Sequence, residues 1–364
     1  MTLVFLFSAA AFVGFKQMDV TTDDRDYTEK RVKVGVLLVG EKHDGGWTEA
    51  HYNGFQNAAR EIPIDLIYRE KINDRDPGVI SCVDGLVKEG AEIIFATSFG
   101  YGDYLPQLTK RYPHVKFFHA SGIAYSVNLA VYFGRIYQAR YLTGIAAGMT
   151  TKTNSIGYVA AYPLPEVVRG INAFALGVRS VNKKAVVHVK WTDGWTNYAA
   201  AKKQSYSLVK DYNVDILAMH HDSTGPIDVA QEKHIYAIGY NLDRKKDYPQ
   251  TFLTAPVWNW GPFYKARLLE CFEGRFKGRS YMSSLDEGLV TISQLNTLVP
   301  LKAVNRIKYA QERLRSRTWD VFYGPIWDNK GQMRVGPGEN LSDHHLFNEM
   351  DWFVAGVEGE IERK

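Results

Sequence analysis

Short apolar strands alternating with helical stretches set the main limit on what this chain can fold into. Val32 to Val39 reads VKVGVLLV, a nearly continuous β-branched and aliphatic run of the kind buried on both faces of a sheet. A loop with a Gly pair, Glu41 to Trp47, follows, and the spacing predicts a helix over Thr48 to Arg60. The unit recurs. Strands are predicted at 64–68, 92–97, 115–119 and 130–134, with helices at 78–89 and 104–112. A second series starts near Ile136, with helices predicted at 137–149, 166–181, 199–212 and 227–233. Its strands are predicted at 155–160, 186–191, 216–219, 236–239 and 252–257. Such alternation predicts an α/β fold with parallel sheets covered by helices on both faces. The units are too many for one sheet, so two similar lobes are expected. A length of 364 residues agrees, at roughly 100–200 residues per domain.

Hydrophobic residues at 45% and charged residues at 23% suit an ordinary globular protein with full-sized cores. Lys and Arg number 44 against 40 Asp and Glu, a formal net charge of +4 without any block of five like charges, so no nucleic-acid partner is expected. Cys82 and Cys271 form no CxxC; two free thiols and a bridge between them both stay open. Leu3 to Phe15 (LVFLFSAAAFVGF) is too short to span a bilayer, which takes ~20 residues. It suits the apolar part of an export signal, although positive residues before it are missing. Residues 1–31 are therefore read as export signal and linker, and the location as the periplasm or cell envelope.

Catalytic signatures are missing. There is no GxxxxGK[ST], no GxGxxG after the first strand, no HExxH and no GxSxG. His220-His221-Asp222 invites a metal reading, but neighbours on a strand point to opposite faces, so no metal is expected. Ser98 and Ser223 have no spacing that suggests a triad. Binding is favoured over turnover, and no cofactor is called for. In parallel sheets ligands sit beyond the carboxyl ends of the strands. The loops there include HDGGW (43–47), TSFGYGD (97–103), TDGWTNY (192–198), HHDST (220–224), GYNLD (239–243) and WNWGPFY (258–264). Rings, Gly and short polar groups are the usual make-up of a small-molecule pocket.

DGGWTEAHYNG (44–54), ATSFGYGDY (96–104), FGRIYQARYLTGIAAG (133–148), LPEVVRGINAFALGVRSVN (164–182), HHDSTGPIDVA (220–230) and WGPFYKARL (260–268) are the segments through which the chain resembles a known family. It is similar to the basic membrane protein, or purine nucleoside receptor A-like, family of type I periplasmic binding proteins, from about Val32 to about Gly356. Within that family it looks closest to the branch that binds free nucleobases such as adenine. The resemblance implies two Rossmann-like lobes with parallel sheets, a hinge of three crossing segments, and ligand held in the cleft. By analogy the crossings fall near Arg135-Ile136, Val257 and Val290. The first lobe is then 32–135 plus 258–289, and the second 136–257 plus 290–364. The implied role is substrate binding for an ABC importer, by a monomer that works with a membrane permease and its ATPase.

A purine offers two π-faces and an edge of donors and acceptors, and stacking a base on an aromatic side chain is worth roughly 1–3 kcal/mol. The resemblance implies that Trp47 and Trp195 sandwich the base; the alternative is that each packs beneath its own loop. Asp103 and Asp222 are carboxylate candidates for the edge and Asn259 the amide candidate. Asp103 could equally cap the helix predicted from Tyr104. Asp222 aligns with a carboxylate that holds the sugar in nucleoside-binding members. Ser98, Phe99 and Gly100 would add backbone and ring contacts. Nucleoside-binding members carry a Lys where this chain has Trp258-Asn259-Trp260, and rings there fill the ribose space. A free purine-type base is therefore expected, with a nucleoside as the alternative. Acidic residues stand at Trp258 and Asn259 in the base-binding pattern, which leaves an oxo-purine or another flat heterocycle open. Trp260 is read as mainly structural. The rival readings are a sugar or signal molecule on the same fold, a regulatory role, and a nucleoside hydrolase.

Overall fold

A computed structural model describes residues 31–361, so the apolar stretch Leu3 to Phe15 lies outside the described residues. The first apolar run becomes β1 (Val32–Leu37), in which Val34, Val36 and Leu37 are wholly buried. β2 (Ile64–Arg69), β3 (Ile93–Ala96), β4 (Lys116–Ala120) and β5 (Leu129–Gly134) join it, and β12 (Ser280–Ser283) arrives from far down the chain to give the order β12-β5-β4-β3-β1-β2. A second sheet contains β6 (Ser155–Ala160), β7 (Val186–Trp191), β8 (Ile216–His220), β9 (Tyr236–Ile238), β10 (Phe252–Thr254) and β16 (Val357–Glu358), ordered β10-β9-β8-β6-β7-β16. Every pairing in both sheets is parallel. In each sheet the opening strand lies between its second and third. The winding reverses beside it and opens a crevice at the carboxyl ends. The chain thus consists of two Rossmann-like lobes.

Helices cover the sheet faces, which is why the strands are apolar on both sides. α1 (Trp47–Ala59), α2 (Gly78–Lys88), α3 (Leu105–Arg111) and α8 (Trp260–Phe272) serve the first lobe, with α1 packed on α8. α4 (Ile136–Thr150), α5 (Pro165–Val181), α6 (Tyr198–Tyr212), α7 (Gly225–Glu232), α9 (Leu301–Arg315) and α10 (Asp343–Asn348) serve the second. α4 and α5 lie unusually close. A Cβ at Gly144 would sit 2.1 Å from the Phe174 carbonyl oxygen, and one at Gly177 would sit 2.0 Å from that of Tyr141. Only glycine permits that approach. Cys82 and Cys271 are both free and half-buried.

Three segments cross between the lobes: Gly134 to Ile136, β11 (Pro256–Trp258) and β13 (Val290–Ile292). β11 and β13 pair antiparallel, Trp258 opposite Val290 and Pro256 opposite Ile292. The single strand expected over 252–257 is therefore divided. Residues 252–254 finish the second sheet and 256–258 enter the hinge. Pro256 has no N–H for a ladder, and the Ala255 amide turns to the Ser293 hydroxyl at 3.0 Å. Arg135, in the first crossing, forms a two-point ion pair with Asp343 of α10 at 2.8 and 2.6 Å.

Candidate functional site

The carboxyl-end loops of the two sheets meet face to face. On the first-lobe side, the Asp44 carboxylate accepts the amides of Gly46 (2.9 Å), Thr48 (3.2 Å) and Glu49 (3.0 Å), and so fixes the start of α1. This sets Trp47 at the first helical position. Its indole Nε1–H donates to the Thr97 carbonyl at 2.7 Å, and the ring stays partly exposed. It stands edge-on to His51 (4.3 Å), Trp258 (5.6 Å) and Trp260 (5.9 Å). Trp258 and Trp260 are themselves stacked at 4.8 Å. Trp260 is 1% exposed and His51 stacks on it at 4.5 Å, so Trp260 is a core residue beneath the site.

On the second-lobe side, Asp222 follows β8. Its amide donates to the Trp195 carbonyl at 2.8 Å, and its Oδ1 accepts the Asn241 side-chain amide at 2.7 Å. Asn241 is buried with φ +67°, and its Oδ1 in turn accepts Trp258 Nε1–H at 3.1 Å. A hydrogen-bonded chain thus runs from the hinge indole through Asn241 to the carboxyl. Burial, and secondarily the charge of Asp44, push the Asp222 carboxyl up to about 7. Trp195 packs against Tyr162 (5.7 Å) and His220 (5.9 Å). His220 is held neutral, with its pKa down at about 3, by burial and then by Arg140. The Glu166 oxygen 3.7 Å from it is therefore no ion-pair partner. Arg140 is buried with its guanidinium 4.3 Å over Tyr240; it donates to the Tyr158 hydroxyl at 2.6 Å and the Met219 carbonyl at 3.1 Å. Its Nε and Nη2 have no hydrogen-bond partner among the described residues.

Contact between the sides is direct. Arg244 Nη2 donates to the Gly45 carbonyl at 2.8 Å. A Cβ at Gly46 would lie 2.8 Å from the Asp222 carbonyl oxygen, and one at Gly45 would lie 2.4 Å from Arg244 Nη2. The glycine pair is what lets the loops touch.

Of the residues picked out in the sequence, Trp47, Trp195, Asp222 and Trp258 belong to this one seam. Ser98, Phe99, Gly100 and Asp103 fall in an adjoining cluster. Asp74 Oδ2 accepts the Ser98 hydroxyl at 2.5 Å and the Gly100 amide at 3.0 Å, and His119 Nε2–H donates to the Ser98 and Phe99 carbonyls at 2.9 and 3.1 Å. Phe99 is 51% exposed. Asp103 pairs with exposed Arg75 at 3.3 Å and does not cap α3, whose capping position is Tyr104. Asn259 uses its amide on the Gly288 carbonyl at 3.1 Å. Sequence reasoning missed Asn241, Asp74, Arg140 and Tyr240. Asn241 and Tyr240 sit in the GYNLD loop beyond a strand end, and that position was their only signal in the sequence.

The model of the PnrA-like ABC transporter substrate-binding proteins matches residues 31–317. A purine-binding protein of Brucella abortus is 33% identical over 337 residues, covering 92% of this chain and 95% of that protein. A Haloferax volcanii protein, provisionally named an ABC transporter glucose-binding protein, is 32% identical over 343 residues, covering 94% and 84%. Among solved structures, an ABC transporter solute-binding protein from Conexibacter woesei superposes with a TM-score of 0.68 at 18% identity, over 79% of this chain and 98% of that one. Members of the family are solute-binding proteins and not enzymes; they take small-molecule ligands and work with ABC transporter components. Two lobes with this winding, a three-segment hinge, a ring-lined seam and a family match over most of the length lead to one conclusion: the chain belongs to the Bmp family of PnrA-like ABC transporter substrate-binding proteins.

Proposed function

We propose that this protein captures a purine-type nucleobase between its lobes and hands it to an ABC importer. The observation that carries the reading is the buried Asp222 carboxyl, pushed up to about 7 by burial and by the neighbouring Asp44 charge, in a seam that holds Trp47, Trp195 and Trp258. A carboxyl at that pKa can accept or donate at neutral pH, as the alternating edge of a purine requires. The indoles offer the π-surface, with Trp47 from one lobe and Trp195 from the other as the flanking pair. The Brucella relative named as purine-binding supports the same ligand class. Ser98, Phe99 and Gly100 would line the mouth.

On this reading, residues 32–135 with 258–289 rotate against 136–257 with 290–364, and ligand stabilises the closed state by touching both. The protein acts as an exported monomer whose closed form engages the permease and its ATPase. Titration calorimetry and thermal shift against adenine, hypoxanthine, guanine, adenosine and glucose test the proposal. A free base is expected to bind tightest and to raise the melting temperature. Stabilisation by glucose and by no purine would overturn it and favour the ligand class in the name of the Haloferax relative.

A further inference from the structure

α9 gathers an excess of positive charge on the outside of the second lobe. Lys302, Arg306, Lys308, Arg313 and Arg315 lie on it against the single acid Glu312, in a chain whose whole formal charge is +4. Most arginines among the described residues pair with a carboxylate, and Arg317, just beyond the helix, reaches Asp286 at 2.7 Å and Glu287 at 3.1 Å. Lys302, Arg306 and Arg313 have no carboxylate partner among the described residues. Lys302 and Arg306 also stand at i, i+4, where like charges repel.

These cations border a cavity between α9 and α4. It holds about 100 Å³ and is lined chiefly by Tyr141, Ser180, Arg306, Tyr309, Arg313 and Trp319, with no acidic side chain in its wall. A wider trough of about 600 Å³ shares Ser180, Arg306 and Tyr309 and extends to Lys302. Arg313 lies 5.0 Å from the Trp319 ring and 5.9 Å from that of Tyr309, so packing holds its guanidinium at the wall. Tyr141 and Ser180 line the cavity opposite Arg306 and Arg313, and the Ser180 hydroxyl donates to the Gly177 carbonyl at 2.7 Å.

We propose that this cavity is a second binding site, separate from the interlobe seam, that takes a phosphate group. Guanidinium forks match the oxygens of a phosphate two at a time. The double charge of a phosphate answers several cations at once, which a carboxylate does not. Tyr309 and Trp319 give the organic body attached to the phosphate an apolar surface to lie on. A soluble phosphate monoester and a phospholipid headgroup both present phosphate oxygens to the guanidinium forks, the monoester with up to two charges and the diester headgroup with one.

The full chain is titrated with inorganic phosphate and with glycerol 3-phosphate by calorimetry. It is also co-sedimented with phosphatidylcholine vesicles with and without phosphatidylglycerol. Binding of a soluble probe identifies a free phosphate ligand, and binding only to the anionic vesicles identifies a headgroup. In either case Arg306→Gln should weaken binding by about tenfold or more. Arg306→Lys should retain part of it, and Lys308→Gln, outside the cavity wall, should leave it unchanged. The melting temperature should not move in any of the three, because the side chains are exposed. No binding of any probe would overturn the proposal. So would equal loss in Arg306→Gln and Lys308→Gln, which would mean diffuse attraction to a basic helix and no built site.

Discussion

The two walls of the interlobe seam are built on different terms. In the first lobe the loop groups that face the seam are committed: Asp44 takes three amides, Asp74 takes Ser98 and Gly100, and the Trp47 N–H goes to Thr97, while the nitrogens that lack partners among the described residues, His51 Nε2 and Trp260 Nε1, lie beneath them in the aromatic stack. In the second lobe Asp222 is driven to about 7, and both ring nitrogens of buried His220 and two nitrogens of buried Arg140 lack partners among the described residues. Buried polar groups left unpaired are costly, and they collect where function demands them. The first lobe is therefore a preset platform. The second is the chemically responsive half.

The sharpest test of the platform is Trp260→Ala. Removing a fully buried ring stacked on Trp258 and His51 should cost about 3–5 kcal/mol of stability. Urea unfolding reads it; a normal midpoint would mean that the aromatic stack is not what holds the platform. Gly46→Val separates closure from folding. Its side chain would collide with the Asp222 backbone only when the lobes meet, so adenine affinity should drop about 100-fold while the melting temperature holds. If small-angle scattering shows this variant closing normally on adenine, the direct loop contact is not required.

Trp47→Ala and Trp195→Ala should each cost about 1–3 kcal/mol of adenine affinity by calorimetry. A loss confined to one of them would make the grip one-sided. A further test is the pH slope from Asp222, which reads stability and not affinity. Its folded pKa, about 7, exceeds the ordinary value near 4, so the folded state keeps a proton that the unfolded chain has released. The stability it contributes is present below about pH 4 and is lost as pH rises toward 7, at up to about 1.4 kcal/mol per unit. Asp222→Asn should flatten that decline in urea unfolding across the range. An unchanged slope would assign it to other groups.

What could be read in advance follows the physics of each signal. The parallel strands announced themselves because double-sided burial leaves continuous apolar runs, as at Val32 to Val39, where strand and burial coincide over Val34 to Leu37. α8 was missed because WNWGPFY reads as a ring-rich loop; the structure starts a helix at Trp260, and Trp260, Phe263, Tyr264 and Leu268 are its buried face at helical spacing. β14 (Ile326–Trp327), β15 (Met333–Val335) and β16 are too short to carry a period. Within the site, Trp47, Trp195, Asp222 and Trp258 stood in recognisable loops. Asn241 is defined by partners 17 and 19 residues away, which no local pattern encodes.

Each sheet is closed at one edge by a strand drawn from late in the chain: residues 280–283 lie beside β5, and 357–358 lie beside β7. During synthesis from the amino end, neither half can complete its hydrogen-bonded ladder while its first strands emerge. The first sheet can thus be completed only after residues 280–283 exist, and the second only after 357–358 do. Contacts so distant along the chain slow folding.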